Sequence, residues 1–375
     1  MKNMMRISAR CLQTRILFLL TFVNCIISAT VTHGVAQRKC HKPKQNVFFL
    51  KTHKTGSTTV QNLLLRYGEA NNLTFALPKQ SGAHMFNYNL KFNPSLVRPS
   101  PTGKYNILCN HLHFNAAGVH ELMPQDTKFI AIVRHPVELF ESVMSYYSDE
   151  VRAFQRLPGN DVATKMKNFL DAPRKYYGYN AAHYEKFAKN GMTWDFGFDN
   201  EEEDDDVIQR RIQYLDKVFD LVLITDYFEE SIVLLKEELC WTTEDVTFLK
   251  ANSRKRESGS ANLLDSKYKE KLLEWNKADW KLYQHFNATF TKKVEAFGVT
   301  RMEQEVAKLK SSNMMIKDRC ISDNKGTYFF NSIPLTRYKL KNNSDALCNK
   351  FVQSERQYLN KINMQQEALL GNMSL

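Results

Sequence analysis

A short apolar run, Asn46-Val-Phe-Phe-Leu50, leads straight into a basic turn with one glycine and several hydroxyls, Lys51-Thr-His-Lys-Thr-Gly-Ser-Thr-Thr59. An amphipathic pattern follows at once, with Val60, Leu63, Leu64 and Tyr67 at helical spacing and Gly68 as the expected stop. Strand, tight turn and helix in that order point backbone N–H groups and the positive end of a helix dipole at one spot, with Lys54 beside it. Such a spot binds phosphate.

The turn departs from the Walker A loop. That motif places its lysine after the second of two glycines, whereas Lys54 stands two residues before the only glycine, Gly56. A phosphorylated nucleotide remains the expected ligand and an ordinary ATPase is disfavoured. Downstream, apolar strands alternate with helices, which predicts a parallel sheet flanked by helices, a P-loop-like α/β fold. Strands are expected at Val47–Leu50, Tyr105–Asn110, Lys128–Val133 and Leu221–Thr225. Pro136 opens a helix at its favoured first position, with Val137, Phe140, Met144 and Tyr147 on one face. Further helices are expected from about Glu229 to Leu239 and from Ser266 to Phe286. Between Arg152 and Asp216 the pattern loosens, and the six acids Glu201–Asp206 read as a solvated loop. Asp195-Phe-Gly matches a kinase magnesium motif, but no kinase glycine loop or His-Arg-Asp accompanies it, so the match is set aside.

Residues Ile16 to Val31 are apolar, with Lys2, Arg6, Arg10 and Arg15 ahead of them and no further positive residue until Arg38. That asymmetry predicts a cytoplasmic N-terminus and a lumenal remainder. An uncleaved signal-anchor is preferred to a cleaved signal peptide because the following flank lacks a small-x-small site. The expected organisation is a cytoplasmic tail (1–15), a signal-anchor and start of stem (16–36), a lumenal catalytic domain (37–353) and a C-terminal helical tail (354–375). Sequons at Asn72, Asn287, Asn342 and Asn372 agree with a lumenal address. Five cysteines lie beyond the apolar segment, so at least one is unpaired or intermolecular. Cys109 reads as a buried thiol, and Cys320 with Cys348 is the most plausible disulfide. The formal charge of +12 reads either as general surface charge for solubility or as a field that attracts an anionic donor or acidic substrate. No Lys/Arg stripe is interleaved with aromatics, which argues against nucleic acid as a partner. No His/Cys cluster suggests a metal, and a homodimer is one open assembly state.

Ligands of parallel sheets bind outside the carboxyl ends of the strands. The Lys51–Thr59 turn, Arg134 with Ser142 eight residues later, and His111 all fall there. A Walker-type phosphotransferase wants a carboxylate at the strand end to organise magnesium, and this chain has Arg134 instead. A sulfuryl group carries less charge than a phosphoryl group and needs less neutralisation. Positioning, a lysine and backbone donors suit its transfer without a metal.

Lys54-Thr-Gly-Ser-Thr-Thr resembles the 5′-phosphosulfate loop of sulfotransferases, and Arg134-His-Pro with Ser142 and Tyr146-Tyr147 resembles their 3′-phosphate motif. From about Cys40 to Phe351 the chain is similar to the galactose 3-O-sulfotransferase family. The similarity runs through Phe49-Leu-Lys-Thr-His-Lys-Thr, Cys109-Asn-His-Leu-His-Phe, Leu139-Phe-Glu-Ser, Asp195-Phe-Gly-Phe-Asp-Asn, Tyr227-Phe-Glu-Glu-Ser, Leu239-Cys-Trp and Val294-Glu-Ala-Phe-Gly. The resemblance implies the donor 3′-phosphoadenosine 5′-phosphosulfate and an acceptor galactose on a glycolipid or glycoprotein. It also implies a single-pass type II protein of the Golgi membrane. Carried over by residue, Lys51, Thr52, Lys54, Thr55, Gly56, Ser57, Thr58 and Thr59 would line the 5′-phosphosulfate, Lys54 would also act catalytically on the bridging oxygen as charge builds there, and Arg134 with Ser142 would hold the 3′-phosphate. Arg254, in the basic cluster Arg254-Lys-Arg256, falls where sulfotransferases close a loop over the nucleotide. The segment His111-Leu-His-Phe114 resembles the catalytic histidine segment of heparan-type 2-O-sulfotransferases, which makes His111 the candidate general base and His113 the alternative. Other readings are a sulfotransferase for another sugar hydroxyl, a nucleotide or sugar kinase, and an inactive lumenal glycan-binding protein.

Overall fold

The computed structural model describes residues 40, 42–80, 83–178, 183–249, 263–322, 326–330, 333–342 and 344–373. The expected signal-anchor and the Arg254 cluster lie outside the described residues. Cys40 to Leu375 cluster as one compact unit, and among the described residues no helix is long and apolar enough to cross a membrane.

Four strands, β1 (Val47–Leu50), β2 (Ile107–Leu108), β3 (Lys128–Val133) and β4 (Leu221–Ile224), pair in parallel in the order β2-β1-β3-β4. Both β1 and β4 are buried throughout, as strands covered on two faces must be. The chain leaves β1 towards β2 on one side and then crosses to β3 on the other. The crevice at the carboxyl ends of β1 and β3 is therefore the topological switch point, where such sheets bind ligands.

The helices are α1 (Ser57–Ala70), α2 (Ala116–Leu122), α3 (Pro136–Tyr146), α4 (Arg152–Gln155), α5 (Val162–Asp171), α6 (Pro173–Tyr176) and α7 (Gly191–Asp195). They continue with α8 (Asp205–Val218), α9 (Phe228–Leu239), α10 (Ser266–Trp275), α11 (Lys277–Phe297), α12 (Val299–Cys320), α13 (Ala346–Val352) and α14 (Glu355–Met373). A separate antiparallel pair, β5 (Gly326–Phe330) and β6 (Ile333–Arg337), precedes α13.

Several expectations are corrected. The strand expected over Tyr105–Asn110 shrinks to β2. Beyond it the carbonyls of His111 and His113 accept from Phe86 and Phe92, so the chain pairs with the 84–92 segment in single bridges instead of extending the ladder. Gly68 does not end α1, which runs on to Ala70. It is a close-packing position, because a Cβ there would lie 2.3 Å from the Phe75 ring and 2.8 Å from Ile107. Gly68→Val is expected to destabilise the fold by about 1–3 kcal/mol through overpacking, measured by denaturant unfolding.

The helix expected from Ser266 to Phe286 is two helices joined at Asn276, whose side chain accepts from Asn190 N at 2.8 Å. The loosely patterned 152–216 stretch is largely helical, its apolar residues packing as aromatic pairs such as Phe154–Phe169 and Phe169–Trp275 instead of along a regular stripe. The acid tract is a largely exposed loop only as far as Asp204, and it then enters a helix. Asp204 caps α8, with Asp205 and Asp206 in the first turn, where acids suit the helix dipole. Glu201 and Glu203 pair with Arg174 and Lys189, and Asp205 pairs with Lys277 and Lys281.

Cys320 and Cys348 form the expected disulfide, and a second bond joins Cys40 to Cys240. Cys109 is free and buried, and burial pushes its thiol up to about 12. Helix α14 packs into the same unit. Tyr358 donates to Glu69 at 2.6 Å, and Gln366 bonds both backbone groups of Phe75.

Candidate active site

The loop after β1 is shaped by two left-handed residues, Lys54 (φ 59°) and Gly56 (φ 77°). Glycine adopts this conformation without strain and spares the helix start a side chain. Gly56 is the N-cap of α1, yet no side chain caps the helix and its first turn holds no acid. Thr59 N–H turns back to Gly56 O at 3.1 Å, and the N–H groups before it and the dipole are left for an anion. The loop hydroxyls face inward instead. Thr52 Oγ1 donates to Ile132 O at 2.6 Å and lies 2.8 Å from Thr55 Oγ1, while Ser57 Oγ donates to Thr52 O at 2.7 Å. Thr225, the first residue after β4, holds its Oγ1 2.6 Å from Thr55 O and 3.0 Å from Val133 O. One hydroxyl thereby ties the loop to the ends of β3 and β4. Thr58 is half-buried and Thr59 buried at the start of α1.

Arg134 and the loop meet as expected. Its Nη1 donates to Lys54 O at 3.1 Å and its Nη2 pairs with Glu138 at 3.1 Å. Its Nε is buried with no partner among the described residues, an unfilled donor that an anion would satisfy. Lys54 Nζ lies 3.3 Å from the centre of the Tyr146 ring, on the helix that also carries the buried Ser142. Lys51 departs from expectation. Its side chain is only 1% exposed and its Nζ pairs with Glu355 Oε2 at 2.6 Å, turned to α14 and not to the loop.

The carbonyl of Lys51 matters more, since His111 Nδ1 lies 2.6 Å from it. A carbonyl only accepts, so Nδ1 carries the hydrogen and Nε2 keeps its lone pair. Burial first, then the neighbouring His53 and Lys51, hold His111 well below the ordinary histidine range. Against its face, ring centres 4.0 Å apart and planes 19° from parallel, stacks His53. Asp195 fixes His53 from behind, accepting its backbone N–H at 2.7 Å and its Nδ1–H at 2.9 Å, together with the Tyr88 hydroxyl at 3.0 Å. All three partners are buried.

His113 stacks on Trp194 at 4.1 Å with a buried, unpartnered Nε2. Burial, and then Lys91, lower it to about 4. A histidine buried in its neutral form favours the unfolded state once the unfolded chain takes up protons. Its contribution is whole above about pH 6.5 and is lost as pH falls towards 4, about 3 kcal/mol in all. Unfolding free energy is expected to fall over that window, and less steeply in His113→Gln.

His53, Asp195, Tyr88 and Thr225 were missed as site residues. Asp195 had a visible signal in Asp195-Phe-Gly, but the motif's meaning here is an anchor for His53. Thr225 had only its place after a strand, which no motif marks. Among the sequons, Asn72 and Asn342 are exposed, while Asn287 is half-buried within α11.

A protein-family model described as galactose-3-O-sulfotransferase matches residues 19–339. Galactosylceramide sulfotransferase of Homo sapiens is 41% identical over 285 residues, covering 75% of this chain and 65% of that protein. Galactose-3-O-sulfotransferase 3 of Bos taurus is 39% identical over 286 residues, covering 75% and 65%. Galactose-3-O-sulfotransferase 2 of Sus scrofa is 35% identical over 345 residues, covering 86% and 85%. The chain thus spans just under two thirds of the first two relatives and most of the third.

Proposed function

The chain belongs to the galactose-3-O-sulfotransferase family, and from that premise we propose that it moves a sulfuryl group from 3′-phosphoadenosine 5′-phosphosulfate to the 3-hydroxyl of a galactose on a glycolipid or glycoprotein glycan. One observation carries the reading: the uncapped start of α1, with Lys54 and the unpartnered Nε of Arg134 beside it, sits at the switch point of a parallel sheet. The donor's 5′-phosphosulfate fits the N–H groups of Gly56, Ser57 and Thr58 and the Lys54 ammonium, and its 3′-phosphate fits Arg134 and Ser142. His111 Nε2 accepts the proton of the attacked hydroxyl. The oxygen–sulfur bond forms as the bond from sulfur to the bridging oxygen breaks, and that electron pair leaves with adenosine 3′,5′-bisphosphate. Lys54 stabilises the charge that builds on the leaving oxygen. The reading includes a type II anchor at 16–36 and a Golgi location.

The test incubates the full chain with labelled donor and galactosides carrying lipid, lactosyl or glycopeptide aglycones. Label on the galactose 3-oxygen is the expected result. Label on another hydroxyl, or none, would overturn the proposal.

A further inference from the structure

The proton transfer needs one imidazole, yet two stand face to face at the end of β1 and β2. Each has its tautomer set by a different partner. His111 Nδ1–H is held by Lys51 O, and His53 Nδ1–H by Asp195. Among the described residues neither Nε2 makes a hydrogen bond to the protein. Both residues are buried, His53 4% and His111 9% exposed. The Asp195 carboxylate already accepts three bonds, two of them from His53. On its other sides the His53 ring is packed by Phe187 at 4.2 Å and Tyr88 at 5.3 Å. This much fixing is not needed to fill space beside His111. It holds a second imidazole against the face of the first, ring centres 4.0 Å apart, immediately before Lys54 in the chain.

Two stacked imidazoles with each Nδ1–H tied to the protein leave two Nε2 acceptors in one small region, which suits two neighbouring donors. Neighbouring hydroxyls on one pyranose ring are such a pair. We propose, resting on the sulfotransferase reading, that the stacked histidines recognise a vicinal diol, with His111 on the hydroxyl that is sulfated and His53 on the hydroxyl next to it. His53 is then a specificity-determining residue and Asp195 its positioning residue. An acceptor with an isolated hydroxyl leaves the His53 nitrogen desolvated and unpaired, which a site built for hydrogen bonding penalises.

The experiment measures binding and transfer with the full chain. The sugars are methyl β-galactoside and its 2-deoxy and 4-deoxy counterparts, each lacking one neighbour of the 3-hydroxyl. Binding is read by calorimetry with adenosine 3′,5′-bisphosphate bound, and needs no turnover. The variant is His53→Asn, whose amide can still donate to Asp195 but which has no group in place of Nε2. For the unaltered chain, one of the two deoxy sugars is expected to bind about tenfold more weakly than the parent. His53→Asn should lose a similar factor on the parent sugar and nothing further on that deoxy sugar. Equal losses in chain and variant would overturn the proposal, as would an unaltered chain indifferent to both deletions or unable to bind the parent. The deoxy series on the unaltered chain stands even if the variant fails to fold. Absence of transfer despite coupled binding would instead count against the sulfotransferase reading.

Discussion

Lys54→Ala is expected to remove turnover, with kcat down by about a thousandfold or more, and to weaken binding of adenosine 3′,5′-bisphosphate measurably by calorimetry. Two effects add. The ammonium is the cation nearest the uncapped start of α1 in the chain, and removal of a preorganised group facing developing charge typically costs about 10²–10³ in rate. The second effect is positional. Lys54 occupies a left-handed conformation, its carbonyl receives Arg134, and its Nζ lies over Tyr146. Truncation frees the loop from α3 and loosens the same element that holds Arg134. Lys54→Arg, which keeps the charge but changes its shape, should restore part of the binding and little of the rate. A Lys54→Ala protein that turns over at more than a tenth of the normal rate would remove this residue from the mechanism.

His111→Ala should lose about 10²–10⁴ in kcat, the range for a general base, while donor binding stays near its normal value. The contrast between the two variants separates proton transfer from anion binding. The pH profile gives a second check. As the proposed base His111 would act in its neutral form, and it is held well below the ordinary histidine range. Activity should therefore stay level as pH falls through about 6.5 and decline only further into acid. An acid limb at or above that pH would point to a different base. Normal activity in His111→Ala would shift the role to another group.

Much of the site was legible because it is local. The β1 strand, the Lys54-Thr-Gly56 turn and α1 lie within one continuous stretch, and their spacing alone implies an anion at a helix start. Arg134 and Pro136 announce the same kind of junction after β3. These elements appear where the periodicity placed them. The Cys320–Cys348 pair was also within reach, since both cysteines stand in one polar segment.

The rest depended on residues far apart in the chain. Lys51 reads as a loop lysine in sequence, yet it pairs with Glu355, 304 residues away. Asp195 looked like a stray kinase motif until His53, 142 residues away, was found to donate to it. Periodicity reports which face of an element is apolar. It does not say which distant polar group will meet a buried one, and every buried polar group must meet something. By itself the sequence determined most of the sheet, the strand–turn–helix junction after β1 and the family, because these rest on local spacing and on motifs. Only the tertiary structure decided which side chains the loop keeps for itself, which histidine tautomers are set, and that two imidazoles stack at the site. Those outcomes follow from buried hydrogen-bond partners brought together across the fold.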